Sequence, residues 1–220
     1  MFPVGDDNYP RRGFAFFTLA LVVLNVLVFL YEATLDPQQL QDFVTTYGMI
    51  PAEIQRGDDL YTLITSMFVH GGWAHIIGNM LFLWVFGDNI EHRLGPLLFL
   101  LFYIGTGLAA SAAHIYTNQG STIPSVGASG ALSGVLGAYL VMYPTNRIRL
   151  LILRVGIVSV PALLFLGIWF IQQLISGVAA LSVDTVQTTG VAFWAHIGGF
   201  VAGAALAVPL RAATSDEARA

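Results

Sequence analysis

Residues 127–143 read GASGALSGVLGAYLVMY and are followed by Pro144. An uncharged run of this length, closed by a residue that cannot continue a helix, predicts a helix of about 25 Å. That is shorter than the roughly 30 Å of a bilayer's hydrocarbon. Glycines at 127, 130, 134 and 137 keep its surface small, as suits a helix packed closely against others in lipid.

The chain around it has the same character. Of its 220 residues 56% are hydrophobic and only 10% charged, against about 25% charged in an ordinary soluble domain, and the mean hydropathy is +0.73. Apolar runs near 20 residues fall at about Gly13–Tyr31, His75–Ile90, Pro96–Tyr116, Gly127–Tyr143, Val155–Ile175 and Val191–Leu210. The expected fold class is all-α, a polytopic bundle of six transmembrane helices over residues 13–210. A segment 1–12 precedes it, a tail 211–220 follows, and the one long outer loop covers 32–69. The first run has the length of a span and no small-x-small cleavage site after it, so it is read as uncleaved.

Composition also excludes several functions. Disorder, collagen and coiled coil do not fit. The net charge of −4, with nine basic residues all arginine, is no nucleic-acid footprint. Zero cysteines remove disulfides, thiolate metal sites and a cysteine nucleophile. No pattern calls for a metal or a cofactor.

The arginines set orientation. With the N-terminus cytoplasmic, Arg11, Arg12, Arg93, Arg147, Arg149, Arg154, Arg211 and Arg219 lie inside and only Arg56 outside. Both termini are then cytoplasmic, and spans two, four and six run from outside to inside. In the outer loop Leu40, Phe43, Val44 and Tyr47 recur at helical spacing, which predicts a short helix on the membrane face or on the protein's own rim.

Polar side chains inside hydrocarbon are expensive, so each is either a packing device or part of a site. His75 and Asn79 stand one turn apart at the start of span two, Ser129 is near the start of span four, and His196 is near the start of span six. All fall within roughly 10 Å of the outer ends. Ser129, Ser133 and Gly137 form one small-residue ridge, and Ala195, Gly199, Gly203 and Ala207 another. Packing of such ridges brings a hydroxyl to an imidazole, a nucleophile to its base. His75, Asn79 and the Ser129 N–H supply donors for a developing oxyanion, and Gly127 and Gly130 leave room for a substrate backbone. The uncharged loop 117–126 is expected to dip inward over a cavity that admits water. Taken singly, the serine reads as a helix cap, the histidine as an interfacial anchor, and the His75–Asn79 pair as interhelical glue. Their common depth is what points to a site.

With these residues in hand the chain resembles the rhomboid intramembrane serine proteases. Gly127-Ala128-Ser129-Gly130 matches the family's GxSG, His75 to Asn79 its HxxxN, and Ala195-His196-Ile197-Gly198-Gly199 through Gly203 its AHxxGxxxG. Gly87, Glu91 and Gly95 match a GxxxExxxG pattern. The resemblance implies Ser129 as nucleophile, His196 as base and then acid, and His75, Asn79 and the Ser129 N–H as oxyanion hole. It implies a dyad, and the spans offer no carboxylate near the outer face for a third member. Glu91 and Arg93 read as structural, capping or orienting span three.

Two positions depart from the family. Tyr61 and Thr62 stand where many members carry Trp-Arg, and Ser133 stands where some carry an aromatic stacked on the catalytic imidazole. Ser133 itself or Trp194 is then expected to hold the His196 ring. Of the other histidines, His70 supports the outer loop, while His92 and His114 read as interfacial. Ser133 is the rival nucleophile, one turn deeper and without the leading glycine.

The implied partners are transmembrane protein substrates and the lipid bilayer of a bacterial inner membrane. The resemblance implies lateral entry near spans two and five, so Trp169 and Phe170 on the outer half of span five are expected gate residues, with the loop 176–190 as a flexible cap. The alternative is a catalytically silent rhomboid-like factor that binds membrane proteins, but such relatives lack the serine or the histidine. A transporter would place ionisable groups near the midplane. No HExxH is present for zinc, and Asp88 shows no carboxylate partner for an aspartyl dyad.

Overall fold

A computed structural model describes residues 2–7, 14–181 and 191–215. The apolar runs become the helices α1 (Phe16–Glu32), α5 (Trp73–Leu94), α6 (Pro96–Thr117), α7 (Ser129–Met142), α8 (Ala162–Ala180) and α9 (Phe193–Ser215). The connection after α1 folds into three shorter ones, α2 (Pro37–Tyr47), α3 (Pro51–Arg56) and α4 (Thr62–Thr65). Among the described residues three helices are long and apolar enough to cross a membrane, Pro96–Thr117, Ala162–Ala180 and Phe193–Ala213, and Phe16–Glu32 and Ser129–Met142 are shorter apolar helices. Large apolar side chains such as Leu27, Leu101 and Ile168 face outward, as they do where lipid is the solvent.

Helix α2 forms where the spacing of Leu40, Phe43, Val44 and Tyr47 places it. The Asp36 side chain accepts from the Gln38 and Gln39 amides, and Gln39 reaches back to the Asp36 N–H, with Pro37 opening the first turn. Its aromatic face meets α1, with the Phe43 ring 5.6 Å from that of Tyr31.

The molecule is mostly helical but not all-α. Strands β1 (Phe2–Asp6), β2 (Arg147–Ile152) and β3 (Gly156–Pro161) form an antiparallel sheet in the order β1-β2-β3. Asp6 pairs with Ile148, and Arg147 with Pro161. This corrects the start of the fifth span. Val155 lies in a turn, Gly156–Pro161 is a strand, and the helix begins only at Ala162, with Pro161 at its cap. An apolar strand running directly into an apolar helix reads as one continuous run, because hydrophobicity alone does not separate the two. In β2 the alternation is plain, with Ile148 and Leu150 buried between exposed Arg147 and Arg149. The segment 1–12 contributes β1, and α9 continues through Ser215, into what was read as the tail.

Helix α7 is the axis. It packs on α5, α6, α8 and α9, and from Ala131 to Tyr139 every residue is buried. Its 14 residues make about 21 Å of helix, so it lies recessed among longer neighbours. It approaches α9 most closely. A Cβ on Gly199 would strike the Gly130 carbonyl, one on Gly203 the Gly134 carbonyl, and one on Gly137 the Phe200 carbonyl. The small-residue ridge of α9 is therefore as expected. On α7 the glycines at this contact are Gly130, Gly134 and Gly137.

At the end of the bundle away from Ser129, the carboxylate of Glu91 accepts the backbone N–H groups of Phe17 and Thr18 at 2.9 and 2.7 Å. It caps the first turn of α1, where a negative charge also suits the helix dipole. Glu91 thus orients the first long helix rather than the third. Arg93 donates to the Arg211 carbonyl of α9.

Candidate active site

The chain enters α7 through Gly127, whose φ of 123° is one that glycine adopts without strain. Its N–H donates to the Ser66 carbonyl at 2.8 Å, and a Cβ there would lie 2.7 Å from the His75 ring. Ala128, not Ser129, occupies the helix cap, and no side chain caps this end. Ser129 is therefore free of capping duty. Its Oγ lies 2.8 Å from Nε2 of His196, which α9 carries at its fourth residue. The glycine contacts between α7 and α9 are what bring the two helices close enough for this bond.

His196 is held from its other side by a residue that motif reading missed. Nδ1 lies 2.9 Å from Oε1 of Gln173 on α8. A carbonyl oxygen only accepts, so Nδ1 carries the proton and Nε2 is left to accept from the Ser129 hydroxyl. The aromatic neighbour also comes from α8, for the Trp169 ring sits 6.0 Å from the imidazole, tilted by 34°. Neither expected ring holder has the part. Ser133 Oγ donates to the Ser129 carbonyl at 2.6 Å, and Trp194 Nε1 donates to the Gly177 carbonyl at 3.0 Å. A signal for Gln173 was present, since an amide in an otherwise apolar run is costly unless partnered.

His75 and Asn79 flank the same turn. Nδ1 of His75 accepts the Gly71 N–H at 3.4 Å, so its Nε2 is the protonated, donating nitrogen beside Gly127. Asn79 Nδ2 lies 3.0 Å from Nε2 of His70. His70 Nδ1 faces the Phe68 carbonyl at 3.2 Å and donates to it, so Nε2 accepts one N–H of the Asn79 amide and leaves the other available. Burial holds the His70 ring neutral, its pKa lowered to about 4, and the Glu32 carboxylate accepts its backbone N–H.

These groups face a cavity of about 710 Å³ whose lining includes His75, Asn79, Ser129, Ser133, Trp169 and His196. Residues 123–126 of the connection after α6 form part of its wall, tied down by the Met49–Ser125 bridge, so this uncharged segment does turn inward. His114, read as interfacial, is buried and lines the cavity as well. An acceptor, a hydroxyl and several N–H donors converging on a recessed cavity can carry out acyl transfer.

Residues 57–213 match the Rhomboid domain. The chain belongs to the rhomboid family. This rhomboid is 29% identical over 199 residues to Rhomboid protease GluP of Bacillus subtilis (strain 168), an alignment covering 90% of this chain and 36% of that protein. It is 29% identical over 197 residues to RHOMBOID-like protein 12, mitochondrial, of Arabidopsis thaliana, covering 82% and 54%. To Rhomboid protease AarA of Providencia stuartii it is 26% identical over 211 residues, covering 87% and 71%. The chain spans about a third of the first of these proteins and about half of the second. It is a multi-pass membrane protein.

Other expectations for this rhomboid need correction. Phe170 stacks on Phe200 with ring centroids 4.4 Å apart, and Trp169 stands against His196, so both rings pack beside the site as well as on span five. Ser176–Ala180 belongs to α8, and 182–190 lie outside the described residues, as do Arg11, Arg12 and Arg219. Asp88 does have a carboxylate neighbour, because one amide, Asn89 Nδ2, donates to both Asp88 and Asp6. That group lies at the far end of the bundle, where Asp6 also accepts from the Tyr139 hydroxyl.

Proposed function

We propose that this rhomboid is a serine endopeptidase that cleaves transmembrane segments of membrane-protein substrates near the outer membrane face. The observation that carries this reading is the 2.8 Å approach of Ser129 Oγ to His196 Nε2, under a cavity large enough for a peptide segment. Ser129 Oγ attacks the scissile carbonyl carbon while Nε2 takes its proton. The carbonyl oxygen becomes the oxyanion, to which Asn79 Nδ2, His75 Nε2–H and the Ser129 N–H donate. Collapse of the tetrahedral intermediate breaks the C–N bond, and the imidazolium returns its proton to the leaving amine. A water then attacks the acyl ester, again losing its proton to His196, and Ser129 is regenerated.

In this reading six helices span a bacterial inner membrane over residues 13–210, with both termini cytoplasmic. The arginine asymmetry supports the orientation, and the packing of α5 between α1, α6 and α7 supports its inclusion as a span. Glu91, Arg93, Gly199 and Gly203 hold the scaffold, and Gly127 and Gly130 admit the substrate backbone. A silent binding factor is disfavoured by the intact Ser129–His196 pair.

The decisive experiment is cleavage of a model transmembrane substrate by the purified protein. Ser129→Ala and His196→Ala should each abolish turnover, and the double variant should be no worse than either, since nucleophile and base act as one unit. Turnover retained in Ser129→Ala but lost in Ser133→Ala would assign the nucleophile to the deeper serine.

A further inference from the structure

We propose that Gln173 is a positioning residue for His196, a neutral amide that orients the imidazole from the place where soluble serine proteases put a carboxylate. The proposal rests on the reading of Ser129 and His196 as nucleophile and base.

The geometry is direct. Gln173 is buried, at 7% exposure, inside a helix whose only other polar side chains are Gln172 and Ser176, and Gln172 next to it faces outward. Burying an amide in hydrocarbon costs several kcal/mol unless it finds a partner. The partner it finds is the imidazole nitrogen remote from the serine. Trp169 precedes Gln173 by one helical turn and stands against the same ring, so one face of α8 fixes both the edge and the orientation of the imidazole.

The chemical consequence concerns the tautomer. Neutral imidazole carries one proton, and only the Nδ1–H form leaves Nε2 able to accept from a serine hydroxyl. Oε1 of Gln173 selects that form by accepting from Nδ1. When Nε2 takes the serine proton, the imidazolium keeps the same bond to Gln173, so no rearrangement is needed during the reaction. A carboxylate would select the same tautomer, but at this depth it would carry a charge into hydrocarbon, and the amide avoids that cost. The residue that sets the base therefore lies on neither of the helices that carry the dyad.

The test compares wild type, Gln173→Met and Gln173→Glu in proteoliposomes. Methionine preserves length and volume but offers no carbonyl, while glutamate keeps an acceptor oxygen. The expected result for Gln173→Met is kcat lowered roughly tenfold to a hundredfold, with KM within about twofold and an unchanged melting temperature. Gln173→Glu is expected to recover most of the loss. Nitrogen-15 NMR of the imidazoles, with the His196 signal assigned from a His196→Ala spectrum, should show Nδ1–H in the wild type and a mixture of tautomers in Gln173→Met. Wild-type kcat and tautomer in Gln173→Met would overturn the proposal. So would equal losses in both variants with the tautomer unmoved, which is the signature of a packing role alone. If Gln173→Met fails to fold, the native spectrum decides by itself, and Nε2–H on His196 overturns the proposal. Ser129→Ala separates the two readings: turnover surviving there removes the dyad, whereas an inactive Ser129→Ala beside a fully active Gln173→Met removes only the part given to Gln173.

Discussion

Asn79 presents its amide to the active-site turn because His70, nine residues earlier in the chain, accepts one of its two N–H groups at 3.0 Å. His70 is itself fixed by the Phe68 carbonyl and, through its backbone, by Glu32 at the end of α1. An oxyanion donor gains most when it is already aimed before the charge develops, so under the proposed mechanism the short segment between α4 and α5 sets part of the chemistry.

Removing the acceptor should release the Asn79 amide. His70→Leu is expected to lower kcat roughly tenfold with little change in KM, and His70→Gln, which keeps an acceptor oxygen, should lose less. Steady-state kinetics on one transmembrane substrate check this. The same ring predicts a pH effect on stability. The folded protein holds His70 neutral down to about pH 4, whereas an unfolded chain takes up the proton near 6.5. Stability should be fullest above pH 6.5 and fall as the pH drops toward 4, and His70→Gln should lack that component of the slope in melting experiments.

The α7–α9 contact leaves no room for a methyl group. Gly199→Ala and Gly203→Ala must push the helices apart against the carbonyls of Gly130 and Gly134, lengthening the bond between Ser129 and His196. Each should cost about 1–3 kcal/mol of stability and at least tenfold in activity. Gly105→Ala on α6, where an added Cβ meets nothing within 4 Å, is the control. Wild-type turnover in Gly199→Ala would show that the dyad does not depend on this close approach.

Asp6 predicts the opposite pH trend from His70. Burial raises its carboxyl from 3.8 to about 6 despite the Tyr139 hydrogen bond, so the folded state resists ionisation that an unfolded chain accepts. Its contribution is most favourable below about pH 4 and is lost as the pH rises through 6. Asp6→Asn should raise stability at pH 7 by at most ~3 kcal/mol and flatten this part of the pH profile. A difference in melting temperature between Asp6→Asn and wild type that stays constant from pH 4 to 7 would contradict it.

The stacked rings of Phe82 on α5 and Phe165 on α8, 6.3 Å apart, offer a better gate test than Trp169 or Phe170. Phe165→Ala loosens this contact without touching His196. It should speed cleavage of transmembrane substrates more than of a soluble unfolded segment, and a crosslink between positions 82 and 165 should slow only the former. Equal responses from both substrates would locate entry elsewhere.

Sequence by itself determined the membrane class, the helices built on apolar runs, and the approximate depth of Ser129, His196, His75 and Asn79. Each of those follows from local composition or from spacing along one helix. It also determined that Gly199 and Gly203 face a close neighbour, because a small-residue ridge has few other uses in lipid.

Only the tertiary structure decided which side chains meet across elements. Gln173 reaches His196 over a separation of 23 residues, Glu91 caps a helix 74 residues before it, and β1 pairs with a strand near residue 150. Neither hydrophobic period nor motif encodes such pairings, since what selects them is the free energy of satisfying a buried polar group with whatever partner packing brings near. The fifth span was misjudged for the related reason that an apolar strand and an apolar helix look alike until hydrogen-bond partners are known. Sequence placed Ser129 and His196 at similar depth, and the folded chain brought them within hydrogen-bond distance and set Gln173 against the far side of the imidazole.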